Sequence, residues 1–226
     1  MAHTPEALQT GEEARIVGEP RWPMAAAVVA AMVLTILLPR DQRLLPAWVF
    51  PLIEGILLVA LIASDPGAIT RRSRLLRAIS IALVSILVLS ALAATVRLID
   101  VLIAGGQQTN SASELLEAGS IVWVTNILAF ALLYWELDSG GAAARAHHLR
   151  SDDFAFPQHL SPEVARADWR PRFIDYFYLA FTNAAAFSPT DAMPLASWAK
   201  LAMMVQSLIS LVILGLVIAR AVNVFA

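Results

Sequence analysis

The sequence predicts an all-α membrane protein with five spanning helices plus a shorter re-entrant helix and loop. Three observations carry this prediction. Of the 226 residues, 58% are hydrophobic and the mean hydropathy is +0.68, more apolar than a soluble core of this size needs. The apolar residues gather into runs of spanning length. Near the C-terminus a short aromatic run, a polar loop with prolines and a long apolar run follow one another without a break. The chain reads as one compact domain. A net charge of -2, with no arginine or lysine run interleaved with aromatics, gives nucleic acid nothing to bind. There are no cysteines, which removes disulfides, thiolate metal sites and a cysteine nucleophile.

Residues 1–21 form a polar tail, with Glu6, Glu12, Glu13 and Glu19 set against Arg15 and Arg21. No small-residue cleavage site follows a short apolar core, so a flexible or surface-lying segment is expected and not a signal peptide. The membrane region covers residues 22–137. Trp22 to Leu38 is the first span, stopped at Pro39-Arg40-Asp41. Pro46 to Ala63 is the second, expected to be interrupted at Pro51 and carrying Glu54 and Gly55. Ser64 to Arg77 holds Pro66, Gly67 and the arginines Arg71, Arg72, Arg74 and Arg77, the clearest cytoplasmic loop in the chain. Ala78 to Ala104 is the third and longest span, ending at Gly105-Gly106; Arg97 and Asp100 lie three apart on one face of it, within pairing reach. The fourth starts around Glu114 to Glu117 and runs to Leu137, with Asn126 in its middle. Residues 138–172 are a charged loop whose length signals function or disorder.

Pro171 and Asp175 open a helix over 173–187 that is too short to cross a bilayer. The loop 188–197 opposes helix through Pro189 and Pro194. Irregular backbone at membrane depth persists only where protein or water surrounds it, so a re-entrant loop lining an aqueous cavity is expected. An amphipathic helix lying on the surface beside an ordinary final span is the alternative. The last span is 198–225, with Lys200 and Arg220 as interfacial anchors.

This stretch resembles the pore module of the tetrameric potassium-channel superfamily: pore helix, filter loop, inner helix. Laid ungapped on the family pattern YFSLVTLTTVGYGD, the segment YLAFTNAAAFSPTD sets Tyr178 on the first Tyr and Asp191 on the closing Asp. The following AKLAMMVQSLISLVILGLVIARAVN resembles the inner helix, with Gly215 where a hinge glycine would lie. The filter positions TVGYG fall on Ala186, Phe187, Ser188, Pro189 and Thr190, without either glycine. Potassium selectivity through a glycine-dependent stack of carbonyls is therefore not expected. The resemblance covers roughly the last fifty residues and implies a homotetramer in the lipid bilayer that conducts small cations with weak selectivity. Thr182, Asn183, Ser188, Thr190 and Asp191 are then the polar pore positions, and Asp191 forms an acidic ring. The competing expectation is a non-conducting scaffold or sensor that keeps the channel fold and binds a partner through residues 138–172. The chain otherwise resembles bacterial multi-span proteins, which implies the inner (plasma) membrane.

Orientation sets two arguments against each other. With the arginine-rich loop inside, five spans place the N-terminus and the long loop inside and the C-terminus outside, so that Arg145, Arg150, Arg166, Arg170 and Arg172 obey the charge rule. Potassium channels have the opposite arrangement, with the filter loop outward. Either the pore is inverted, as in ionotropic glutamate receptors, or the chain has one span more or fewer than five; the charge count is preferred.

Among the intramembrane polar residues, Glu54 is costly to bury charged and must face a cavity, find a partner or stay protonated. It reads equally as part of an ion or proton path and as a carboxyl hydrogen-bonded to a neighbouring helix. Arg97 with Asp100 reads as a structural pair, since a voltage sensor repeats its arginines and this span has one. Asn126 reads as helix glue. His147 and His148 are adjacent and lack the spacing of a helical metal site, so no metal or other cofactor is expected. Neither GxSxG, a P-loop nor a dinucleotide fingerprint occurs, and no catalytic residues are assigned.

Overall fold

The structure, a computed structural model, describes residues 18–104, 112–147, 151–163, 165–166, 169–186 and 191–225. Its helices are α1 (Trp22–Leu37), α2 (Val49–Ser64), α3 (Arg74–Ala104), α4 (Ala112–Leu137), α5 (Ala142–Ala146), α6 (Pro157–Leu160), α7 (Phe173–Ala186) and α8 (Ser197–Phe225). Two short antiparallel pairings complete it: β1 (Glu19–Pro20) with β2 (Ala68–Ile69), and β3 (Phe154–Ala155) with β4 (Met193–Pro194). Among the described residues, α3, α4 and α8 are long and apolar enough to cross a membrane, while α1 and α2 are shorter apolar helices.

Helix starts and stops follow local chemistry. Pro51 does not interrupt α2, because the helix begins at Val49 and places the proline in the first turn, where its missing amide has no intrahelical partner to lose. The last carbonyls of α1 are taken by Arg43, whose guanidinium donates to Leu38 O and Ile36 O.

The outward faces are as apolar as the core. Val33, Ile56, Val59, Leu89, Val96, Met204, Leu208 and Ile218 are all exposed, whereas Glu54, Asn126, Asn183, Gln206 and Ser210 are buried. A soluble protein of this size does not expose so continuous an apolar belt, and lipid is the solvent that accepts it.

One end of the bundle is a polar platform. Arg21 at the start of α1 pairs with Asp65 at the end of α2 at 2.9 Å, and Arg77 in the first turn of α3 pairs with Glu136 at the end of α4. The starts of α7 and α8 meet there as well, because the Phe154 ring lies 6.4 Å from Tyr176 and 5.6 Å from Trp198. Residues 18–21 are tied into this platform, with Arg21 buried and Glu19 half-buried. Glu19 accepts hydrogen bonds from Trp135 Nε1 at 2.7 Å and from the Phe173 amide, so the polar tail ends earlier than its composition suggests.

Much of the described part of the long charged loop also packs here. Buried Asp138 accepts from the Asp153 amide at 2.8 Å and from the Tyr176 hydroxyl, while Asp153 accepts from the Ser139 amide at 3.0 Å. The Arg145 guanidinium sits 5.0 Å from the Tyr176 ring centroid and 5.8 Å from that of Trp135.

Candidate functional site

The site grows from α7. Asp175 accepts a hydrogen bond from the Arg172 amide at 2.8 Å, a carboxylate closing the first turn of the helix. From there Phe173, Tyr176, Leu179, Ala180, Asn183 and Ala184 recur at helical spacing and are buried, leaving Ile174, Tyr178 and Phe181 exposed. Trp123 of α4 meets Phe181 edge-on at 6.0 Å.

A polar seam joins α7 to α8 and α4. The Gln206 amide donates to Ala180 O at 2.9 Å, and its oxygen accepts from Asn183 Nδ2 and from the Tyr134 hydroxyl, each at 2.7 Å. Asn183 Nδ2 also donates to Met203 O at 3.0 Å, and Ser207 Oγ donates to Asn183 Oδ1 at 3.0 Å. Asn183 thus faces inward, 1% exposed, with its carboxamide used inside a single chain. Both α7 and α8 begin at the platform, and residues 180–183 of the first meet residues 203–207 of the second. The two helices therefore run in the same direction.

Asp191 lies back beside α7. Its carboxylate accepts from the Tyr178 hydroxyl at 3.0 Å, eight residues before the end of that helix. Eight helical residues span about 12 Å, and the five steps from Ala186 to Asp191 reach at most about 17 Å. A cavity of about 80 Å³ opens beside the two residues, lined by Asp175, Asp191, Tyr178, Thr182, Gln158 and Phe156 among others. Its lining holds two carboxylates and no basic side chain. That is room for a few water molecules between two carboxyl groups and the apolar surface of Phe156, Pro157 and Leu179.

Of the residues singled out from sequence, Thr182 and Asp191 come together in this cavity. The Thr182 hydroxyl is turned back onto its own helix, donating to Tyr178 O at 3.0 Å. Ala186 is the last residue of α7. Phe187, Ser188, Pro189 and Thr190 lie outside the described residues. Gly215 is on the exposed side of an unbroken α8, where an added Cβ would meet nothing within 4 Å.

The intramembrane polar residues are scattered. Glu54 is 0% exposed; Ser90 of α3 faces it, but that hydroxyl donates to Leu87 O at 2.9 Å, and neither Glu54 oxygen has a partner within hydrogen-bonding limits. Asn126 bridges α4 to α8 through Ser210 at 3.5 Å. Salt bridges among the described residues join Arg21 to Asp65, Arg77 to Glu136, Arg145 to Glu19 and His159 to Asp152. Arg97 and Asp100 both lie on α3. His147 Nε2 donates to Thr70 O at 3.1 Å, and His159 meets Trp169 edge-on at 5.0 Å. Among the described residues no three metal-ligating side chains converge.

In comparisons with known proteins, no family, no curated protein and no solved structure matches this chain.

Sequence reasoning overlooks Gln206, the centre of the seam. The signal is there to be read: an amide in the middle of an apolar helix, followed by Ser207 and Ser210, is as unusual as Asn126. Glu19, Asp138, Arg145 and Glu136 also look like surface charge in the sequence, whereas in the fold Asp138 and Glu136 are buried and Glu19 and Arg145 half-buried platform groups.

Proposed function

We propose that this chain is a channel-like integral membrane protein in which α7, the return to Asp191 and α8 form a re-entrant hairpin. Four copies close around it, and it passes small, partly hydrated cations with weak selectivity and without a potassium filter. The observation that carries the reading is the Tyr178 to Asp191 hydrogen bond. It sets the end of the return beside the first half of a helix that runs parallel to α8, and it places two carboxylates in one water-sized cavity. Carboxylates presented in this way favour cations over anions, and four-fold repetition multiplies the effect. Support for the tetramer comes from the exposed apolar face shared by Ile174, Tyr178 and Phe181 on α7 and Leu201, Met204 and Leu208 on α8. Symmetric closure is the common way to cover a re-entrant loop.

In this reading α1, α2, α3, α4 and α8 are the five spans. The platform end is cytoplasmic, because it carries Arg21, Arg71, Arg72, Arg74, Arg77, Arg145, Arg166, Arg170, Arg172 and Lys200, against Arg40, Arg43, Arg97 and Arg220 elsewhere. The membrane is a bacterial plasma membrane.

A second reading, the non-conducting scaffold that binds a partner through residues 138–172, is favoured by Asn183. Its amide is fully engaged inside one chain, as structural glue would be. Flux from proteoliposomes separates the two. The channel reading predicts leakage of sodium and potassium alike, reduced by Asp191→Asn. Liposomes that stay tight under voltage, pH and salt changes leave the scaffold reading.

A further inference from the structure

A cavity of about 610 Å³ lies at the platform end. Its lining brings together Arg21, Arg71, Arg72, Arg74 and Arg77 against two carboxylates, Asp65 and Glu136. Both carboxylates are already committed: Asp65 to Arg21 and Glu136 to Arg77. Glu136 also accepts from Ser80 Oγ at 2.6 Å. Among the described residues no carboxylate pairs with Arg71, Arg72 or Arg74, all of which are exposed at the mouth. Arg71 donates to Ser64 O at 3.3 Å and so leans over the opening.

The cluster also works against its own helix. Arg74 and Arg77 occupy the first turn of α3, which contains no acidic residue, and cations there oppose the positive end of the helix dipole. A bound anion reverses that repulsion and satisfies the free guanidinium forks together. Guanidinium matches the oxygens of a phosphate in bidentate fashion, whereas chloride offers no such geometry. The volume accommodates a glycerophosphate group as readily as a free phosphate. Basic pockets between spanning helices are where phospholipid headgroups dock.

We propose that this cavity binds a phosphate group, with Arg72 and Arg74 as its free ligands and Arg77, held by Glu136, as its floor. The group comes either from an anionic phospholipid or from a soluble phosphate, and the experiment separates the sources. Purified full-length protein is placed in phosphatidylcholine nanodiscs and its thermal transition is followed while inorganic phosphate is titrated. In a second arm phosphatidylglycerol replaces part of the lipid. Saturable stabilisation by phosphate identifies a soluble ligand; saturable stabilisation by phosphatidylglycerol alone identifies a lipid headgroup. Either response should weaken roughly tenfold or more in Arg72→Ala/Arg74→Ala. Those two side chains hold nothing else in place, so the unliganded transition of the variant should equal that of the wild type. Arg166→Ala/Arg172→Ala removes the same charge from the same end outside the cavity and should keep the response. If neither probe shifts the transition, or if the two double variants lose the response equally, the proposal is overturned.

Discussion

Glu19 shows how much a single side chain contributes at the platform. Burial pushes its carboxyl above the ordinary 4.5, and the hydrogen bonds from Trp135 and Phe173 and the nearby Arg145 only partly oppose that. A carboxyl raised in the folded state adds stability that is fully present below the ordinary carboxylate range and is lost as pH rises through the raised value. The pH-neutral variant Glu19→Gln should therefore gain on the wild type as pH rises from 4 towards 8 in melting experiments. A pH-independent difference between them would contradict this account of Glu19. Gly141 is a second such residue. Its φ is +93°, and a Cβ there would stand 1.9 Å from Arg77 Nη1 and 3.0 Å from Glu136 O. Gly141→Ala should cost about 1–3 kcal/mol and loosen the Arg77 to Glu136 pair, read as a lowered melting temperature. An unchanged transition would show that the platform does not depend on that close approach.

At the scale of elements, the helices are legible from sequence because their signal is local. Hydrophobic length marks α1, α2, α3, α4 and α8 to within a few residues, and Pro171 with Asp175 marks the start of α7. The platform is not legible, because its bonds join residues far apart in the chain: Glu19 to Phe173, Arg77 to Glu136, Asp138 to Tyr176. Nothing in the neighbourhood of Glu19 or Asp138 says that each will be buried under an aromatic cluster. The candidate site is legible in part. Asp191 and Thr182, two of the polar positions that the channel resemblance groups together, line one cavity, whereas Asn183 turns inward because Gln206 waits for it on α8. Gln206 is the residue on which the α7 to α8 contact depends. Gln206→Leu would leave Asn183, Tyr134 and the Ala180 carbonyl short of partners. It should lower stability by roughly 1–3 kcal/mol, measured by denaturation in detergent.

For the whole molecule, the arrangement of ends decides what the protein is. A hairpin that enters and leaves at the platform end makes a pore-like element, while a seventh helix that crossed the bilayer would make an ordinary bundle. The chain contains no cysteine, so an introduced thiol is unique. Arg172→Cys, Leu195→Cys and Val222→Cys place one on an exposed residue just before α7, just after the return and near the end of α8. Labelling each variant in intact cells and in inside-out vesicles with a membrane-impermeant maleimide tests the re-entrant hairpin directly. Residues 172 and 195 should react only from the cytoplasmic side and residue 222 only from the other. Reaction of residues 172 and 195 from opposite sides would contradict the re-entrant hairpin.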